Sequence, residues 1–383
     1  MVGTKARRFW LRAHLCVGLV LGAPFVLLGV SGSLLVFYNE LDRVLNPAIR
    51  VVQGPVHSPS MAAVQQQLHQ AYPAREGAWR VEMPLTDESP LTARYYRPEE
   101  RQGHFFSPLM LTLDPATLEV SSRRFWGDYF VTWVYDLHYS LLLQSGGRMI
   151  VGWLGVLMML SLLSGLYLWW PSPRKFLPAL WPKLRGGAVR KTYDLHVTLG
   201  VYGGSILFLL CLTGVALAWP ETTRAVLRVP PPVITPAAAE NGQTGAAMLG
   251  IDEALAMARR RFPQAELRWV ELPARTGHVL SVRLHQAQEP GRRFPKTQIW
   301  IDLRRGDVLA VHNPLAAAAG DRVLSWMHPI HNAEAFGWWG RVIACVCGIA
   351  PLVLLITGWM RWQHKKRART LASQRRMAPR SVS

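Results

Sequence analysis

Three features of this 383-residue chain predict an α-helical membrane protein with four transmembrane helices, built as two tandem copies of helix, external α+β domain and helix. First, four uncharged apolar runs, 13–38, 149–170, 195–219 and 342–360, reach the roughly 17–25 residues a membrane span needs. Second, the charge is segregated. Lysine and arginine number 43 against 24 acidic residues, a net charge of +19, and only 17% of residues are charged. Soluble domains carry about 25%. Third, the second half of the chain repeats the first, and internal repeats define an architecture more firmly than any single element.

The charge first suggests nucleic acid, but its placement excludes that partner. Eighteen basic residues and no acidic one fall in 1–12, 171–193 and 361–383, which leaves the rest within one charge of neutral. Each basic stretch abuts an apolar run, as cytoplasmic segments do under the positive-inside rule. The expected course follows. Residues 1–12 are a cytoplasmic N-terminus and 13–38 the first span. Residues 39–148 are an external domain whose interfacial end carries His138. The second span is 149–170, followed by a basic cytoplasmic loop at 171–194 and a third span at 195–219. Residues 220–341 are a second external domain whose interfacial end carries His331. The last span is 342–360, and 361–383 a basic cytoplasmic tail. The first run is too long for a signal-peptide core of about 7–15 residues and lacks a small-x-small cleavage site.

The external segments read as α+β. Helical periodicity over 61–71 and 252–262 stops near a proline each time. Residues 79–83, 110–113, 269–272, 280–284 and 297–302 read as strands. Arg304-Arg305-Gly306-Asp307 reads as a hairpin turn, and the Pro- and Ala-rich stretch 229–247 as a linker. The four cysteines, Cys16, Cys211, Cys345 and Cys347, all lie in apolar runs. They form no disulfide framework and read as small packing residues.

The repeat is dense in matched positions. With 11–37 written above 193–219, His14 falls on His196, Gly18 on Gly200 and Ser31-Gly32 on Thr213-Gly214. In the other spans His138 falls on His331, Gly147-Arg148 on Gly340-Arg341 and Ser164-Gly165 on Thr357-Gly358. Outside, Val81-Glu82-Met83-Pro84 matches Val270-Glu271-Leu272-Pro273, and Leu111-Thr112-Leu113-Asp114 matches Ile299-Trp300-Ile301-Asp302.

Four of the twelve histidines thus recur at matched span ends. A single interfacial histidine reads as a satisfied or snorkelling residue; four in a duplicated pattern read as functional, because ionisable groups in membranes are costly. Neutral imidazoles on facing helices can ligate haem iron from both sides. This pairs His14 with His196 toward the cytoplasm and His138 with His331 toward the outside. Gly18 and Gly200, one turn after their histidines, would clear space for a porphyrin. Arg148 and Arg341 are candidates to pair with haem propionates, or else are interfacial anchors. His328-x-x-His331 is the one local cluster; it lacks a counterpart in the first copy, where Tyr135 stands, and His328 ranks as a supporting residue or alternative ligand. A zinc or copper site would want more carboxylate or thiolate nearby, and a proton relay would want further ionisable groups in the spans. The aromatics Phe125, Trp126, Tyr129, Phe130, Trp133 and Trp326 form either a docking surface or an interfacial belt.

These features resemble the PepSY-associated transmembrane family, which includes bacterial inner-membrane siderophore reductases and iron-regulated membrane proteins. The resemblance rests on R-R-F-W-L-R-A-H-L-C-V-G-L at 7–19, the G-V-S-G-S-L-L-V-F end of the first span, the Tyr193-Asp194-Leu195-His196 start of the third, and two PepSY-like external domains. It implies an inner-membrane oxidoreductase with two b-type haems that reduces ferric siderophore in the periplasm, with His14, His138, His196 and His331 as its axial ligands. No separate catalytic residue is assigned. No Gly-rich dinucleotide motif follows a strand, so the expected electron donor is a quinol or a separate reductase. Two other classes remain as expectations: a siderophore or metal permease component, and a membrane-anchored PepSY binding or regulatory module.

Overall fold

The computed structural model describes residues 4–49, 59–181, 186–230 and 248–377. Most of the linker expected at 229–247, and Lys183, Arg185 and Arg380 of the basic stretches, lie outside them. The first half comprises α1 (Thr4–Val20), α2 (Gly22–Val36), α3 (Tyr38–Leu45), α4 (Met61–Ala71), strands β1 (Trp79–Glu82), β2 (Leu91–Tyr95), β3 (Leu109–Leu113) and β4 (Val120–Phe125), α5 (Phe130–Ser140) and α6 (Gln144–Trp169). A short α7 (Phe176–Leu180) leads to the second half. There the order recurs as α8 (Ala188–Ala218), α9 (Pro220–Val226), α10 (Ile251–Arg261), β5 (Glu266–Leu272), β6 (Val279–His285), β7 (Thr297–Asp302), β8 (Asp307–His312), α11 (Ala319–His331) and α12 (Gly337–Met377).

The helices α6, α8 and α12 are long and apolar enough to cross a membrane. The first run is not one straight helix, as expected over 13–38. It breaks at Leu21, and α1 and α2 meet at 60°, passing as a span only together. Pro24 explains the weakness, because it has no N–H to bond the carbonyl one turn back. Gly22 allows the closeness, since a Cβ there would lie 2.4 Å from Leu355 of α12. The helices also outrun the apolar windows. α1 carries Arg7, Arg8 and Arg12, α8 begins with Arg190 and Lys191 in its first turn, and α12 runs on past Arg361 to Met377. Hydropathy marks the lipid-facing length, whereas Lys and Arg are good helix formers and let the helix continue.

Close crossings hold the bundle. A Cβ at Gly29 would stand 2.3 Å from the Gly348 carbonyl oxygen, so α2 and α12 touch backbone to backbone. Ser33 beside it donates its hydroxyl to the Cys345 carbonyl at 2.7 Å. Small residues and such interhelical hydrogen bonds are how membrane helices associate where no hydrophobic force separates helix from lipid. On the other side, Gly152 and Gly155 of α6 lie against Trp219 and Val215. All four cysteines are free thiols.

The external segments depart from two separate domains. They form one eight-stranded antiparallel sheet in the order β4-β3-β2-β1-β5-β6-β7-β8. At the joint β1 pairs with β5, and Val81 faces Val270, the matched residues of the two copies. The copies therefore meet about a local two-fold axis. Their apolar faces share one core, in which Val64, Leu68 and Leu111 join Leu255, Leu280 and Ile299. Asp252 of α10 reaches across to cap α4, accepting from the Met61 N–H at 2.8 Å and the Ser60 hydroxyl at 2.5 Å. Each half alone would leave β1 or β5 as an exposed edge, which fusion removes. The sheet is tied to the bundle by Arg124, which bonds Asp42 of α3 at 2.9 and 3.1 Å.

Candidate functional site

The four matched histidines occupy four equivalent seats. His138 of α5 directs Nδ1 to the Leu28 carbonyl at 3.0 Å and the Ser31 hydroxyl at 3.1 Å, with its ring against Gly32. His331 of α11 does the same with the Leu210 carbonyl at 3.0 Å, Thr213 at 3.2 Å and Gly214. His14 of α1 meets the Ser161 carbonyl and Ser164 hydroxyl, both at 3.1 Å, and Gly165. His196 of α8 meets Thr357 at 2.9 Å, the Leu354 backbone and Gly358. Every seat is thus a carbonyl, a hydroxyl three residues on, and then a glycine. A Cβ would come within 2.9–3.0 Å of imidazole Cε1 at Gly32, Gly165 and Gly214, too close for a side chain beside the ring as placed, whereas at Gly358 the distance is 3.4 Å, an ordinary contact.

The seats fix the tautomer. Each hydroxyl donates its own proton to a carbonyl of its helix: Ser31 to Leu27 at 2.7 Å, Ser164 to Ser161 at 2.8 Å, Thr213 to Leu209 at 2.9 Å and Thr357 to Val353 at 2.6 Å. Carbonyl and hydroxyl oxygens are therefore acceptors, and Nδ1 must carry the hydrogen. The lone pair stays on Nε2, the far edge of the ring. Metal-ligating histidines are held in this way, with the second nitrogen donating to a carbonyl or similar acceptor.

The rings come together in the expected pairs. Ring centres of His14 and His196 are 6.4 Å apart, and those of His138 and His331 are 6.1 Å apart. A metal–imidazole bond is about 2.0–2.1 Å, and a ring centre lies about 1.1 Å behind its nitrogen, so two imidazoles facing one metal ion have centres about 6.2–6.4 Å apart. The observed ring-centre separations of 6.4 and 6.1 Å lie close to that spacing. Among the described residues no group of three or more His, Cys, Asp or Glu side chains could hold a bare metal ion.

The His138–His331 pair opens on a mostly apolar cavity of about 350 Å³, within the usual range of ligand pockets. The cavity runs down between the helices past Leu154 to Met158. Met158 is three residues from Ser161, about 4.5 Å of helix rise. The outer cavity therefore ends about one turn from the carbonyl that seats His14, nearer than sites at opposite ends of a span would suggest.

His328 lines this cavity. Its ring lies 3.8 Å from that of Phe294, and its Nδ1 finds no hydrogen-bond partner among the described residues. It makes no ring pair with another histidine and has no seat of the kind the four share. Gly18 and Gly200 are uncrowded: Gly18 faces open space and Gly200 has only Leu354 near, at 3.8 Å.

The two span arginines have another task than the one expected. Arg148 donates to the Ala218 carbonyl at 2.9 Å, and Arg341 to the Val36 carbonyl at 2.8 Å while pairing with Glu40. Each caps the last turn of a span helix from the other half, where a cation complements the helix dipole. Neither lines the His138–His331 cavity. The arginine that does line it is Arg293, on a loop that no motif in the sequence marks.

A second, polar cavity of about 550 Å³ lies between the sheet and the helix ends. Trp126 and Tyr129 line it, whereas Phe130, Trp133 and Trp326 are exposed and Phe125 packs on the sheet core. The expected aromatic group therefore divides between cleft wall, belt and core. In the cleft, burial raises the Asp136 carboxyl to about 6, against the opposing hydrogen bond from the Trp126 indole at 2.9 Å.

In comparison with known families, the PepSY-associated TM region matches residues 11–365. No curated protein matches the chain.

Proposed function

The chain belongs to the PepSY-associated transmembrane family, and from that premise we propose that it is a haem-containing oxidoreductase of the bacterial inner membrane that reduces ferric siderophore in the periplasm. The observation that carries the reading is the doubled pair of seated histidines, at 6.4 and 6.1 Å. Two protein nitrogens are too few for a structural zinc ion, which takes four ligands. Two imidazoles are the protein ligand set that a haem would take, and each pair would supply them.

When bound, haem supplies one-electron chemistry between its ferric and ferrous states. The residues of this chain do the rest. His14 with His196, and His138 with His331, would hold the two groups. The Ser/Thr–Gly seats keep every Nδ1–H on the protein and every Nε2 free. The apolar walls around the outer pair exclude water. Gly18 and Gly200 leave room beside the inner pair. Placement of Lys and Arg supports a cytoplasmic side for both termini; in this reading electrons enter there from a quinol or a separate reductase and leave on the sheet side. One electron converts ferric to ferrous iron, a softer and less highly charged acid that a hard-oxygen siderophore holds less tightly.

Anaerobic mixing of dithionite-reduced, desalted protein with ferric siderophore tests the activity. The expected result is reoxidation of the haem bands with release of ferrous iron to a ferrous-specific chelator. Bands that stay reduced would remove the substrate assignment.

A further inference from the structure

We propose that Arg293 is a carboxylate-binding residue at the junction of the two cavities. Arg293 lines both the apolar cavity of the outer histidine pair and the polar cleft under the sheet. Its guanidinium lies 4.3 Å over the Tyr38 ring and 5.4 Å from that of Phe294, and both rings also belong to the wall between the cavities.

The charge of Arg293 lacks a partner where its neighbours have one. In the cleft Arg124 pairs with Asp42 at 2.9 Å, Arg94 with Glu82 at 3.0 Å and Arg341 with Glu40 at 2.8 Å. Among the described residues Arg293 forms no ion pair. Glu334, which lines the same cleft, is committed elsewhere: it accepts the backbone N–H groups of Arg292 and Arg293 at 2.7 and 2.9 Å. Asp136 accepts the Trp126 indole. A half-buried cation without an anion is costly. A guanidinium held against aromatic rings keeps its N–H fork, which suits a bidentate oxygen ligand.

That chemistry has two sources, and they lie on opposite sides of the arginine. One is the carboxylate edge of a group held between His138 and His331, which rests on the function proposed above. The other is a carboxylate-rich iron chelate in the cleft, which does not. The variants Arg293→Gln and Arg293→Lys separate them, with yield and gel-filtration profile of the full chain as the check on folding. For the cavity side, haem content and the midpoint potential of the haem lost in His331→Ala are measured. R293Q is expected to shift that potential downward, because loss of a cation favours the ferric state, and R293K to restore it in part. For the cleft side, binding of ferric citrate is followed by tryptophan fluorescence. R293Q is expected to weaken it at least tenfold, with partial rescue by R293K. A change on either side supports the assignment and names its source. Protein that carries no haem would overturn the functional reading while the citrate titration still reads the arginine. Unchanged potential, haem content and citrate binding in R293Q, or no haem and no citrate binding in the parent chain, would overturn the proposal.

Discussion

At the scale of the residue, the decisive unit is a histidine with its seat. A carbonyl, a hydroxyl and a glycine on one helix hold a ring from another, and the same arrangement occurs four times. Single replacement of His14 or His196 by alanine should remove one haem per chain, and of His138 or His331 the other. Pyridine haemochrome assay of each variant checks this, and two haems retained in any of them would refute the pairing. Thr357→Val keeps the shape but takes away the hydroxyl that His196 faces at 2.9 Å. Loss of such a supporting bond costs about 10–100-fold in metal affinity, so faster transfer of haem to apomyoglobin is expected from the inner site and not from the outer one. The four histidines were legible in the sequence because duplication singled them out. The Ser/Thr–Gly pairs were visible as matches, but their purpose was not, since the histidine each one seats lies on a different helix. Arg293 left no mark at all: it sits on a loop, and only three-dimensional packing brings it to two cavities.

At the scale of the element, the bundle depends on backbone contact. α2 and α12 cross at Gly29 and Gly348, where a Cβ would meet a carbonyl oxygen at 2.3 Å. Gly29→Leu should therefore destabilise the detergent-solubilised protein by about 1–3 kcal/mol, the usual cost of overpacking, read as a lower thermal midpoint. A variant as stable as the parent would mean that the crossing is looser than described. The same region explains the one bent span. Four apolar runs were legible from composition, yet the 60° break between α1 and α2 was not. A proline in a membrane helix is tolerated as often as it bends one, and here the close approach of Gly22 to Leu355 decides. Strands β2 and β4 escaped notice for a different reason. β2 does alternate, with Leu91 and Ala93 buried between Thr92 and Arg94, but five residues are too short a run to stand out; in β4 the polar run Ser121-Ser122-Arg123-Arg124 hides the strand.

At the scale of the whole molecule, duplication has become fusion. Matching segments declared two copies, and two external domains were the natural expectation. Instead Val81 pairs with Val270 and the copies share one sheet and one core. A pairing between residues so far apart in sequence carries no local signal. The consequence is that the external part should unfold as a unit. Thermal melting followed by far-ultraviolet circular dichroism is expected to show one transition for the sheet, and Asp252→Ala should lower it without splitting it. Two transitions, one per half, would contradict the single-domain description. Fusion also fixes the geometry below the sheet. The rings of His138 on α5 and His331 on α11 come within 6.1 Å of each other, while Arg148 and Arg341 cap the spans of the opposite half.

The central claim is that the two histidine pairs hold haem. The visible spectrum of the chain, purified in detergent from haem-replete cells and recorded before and after dithionite, tests it most directly. Bis-histidine b-type bands that sharpen on reduction are expected, at two haems per chain. A colourless preparation would contradict it.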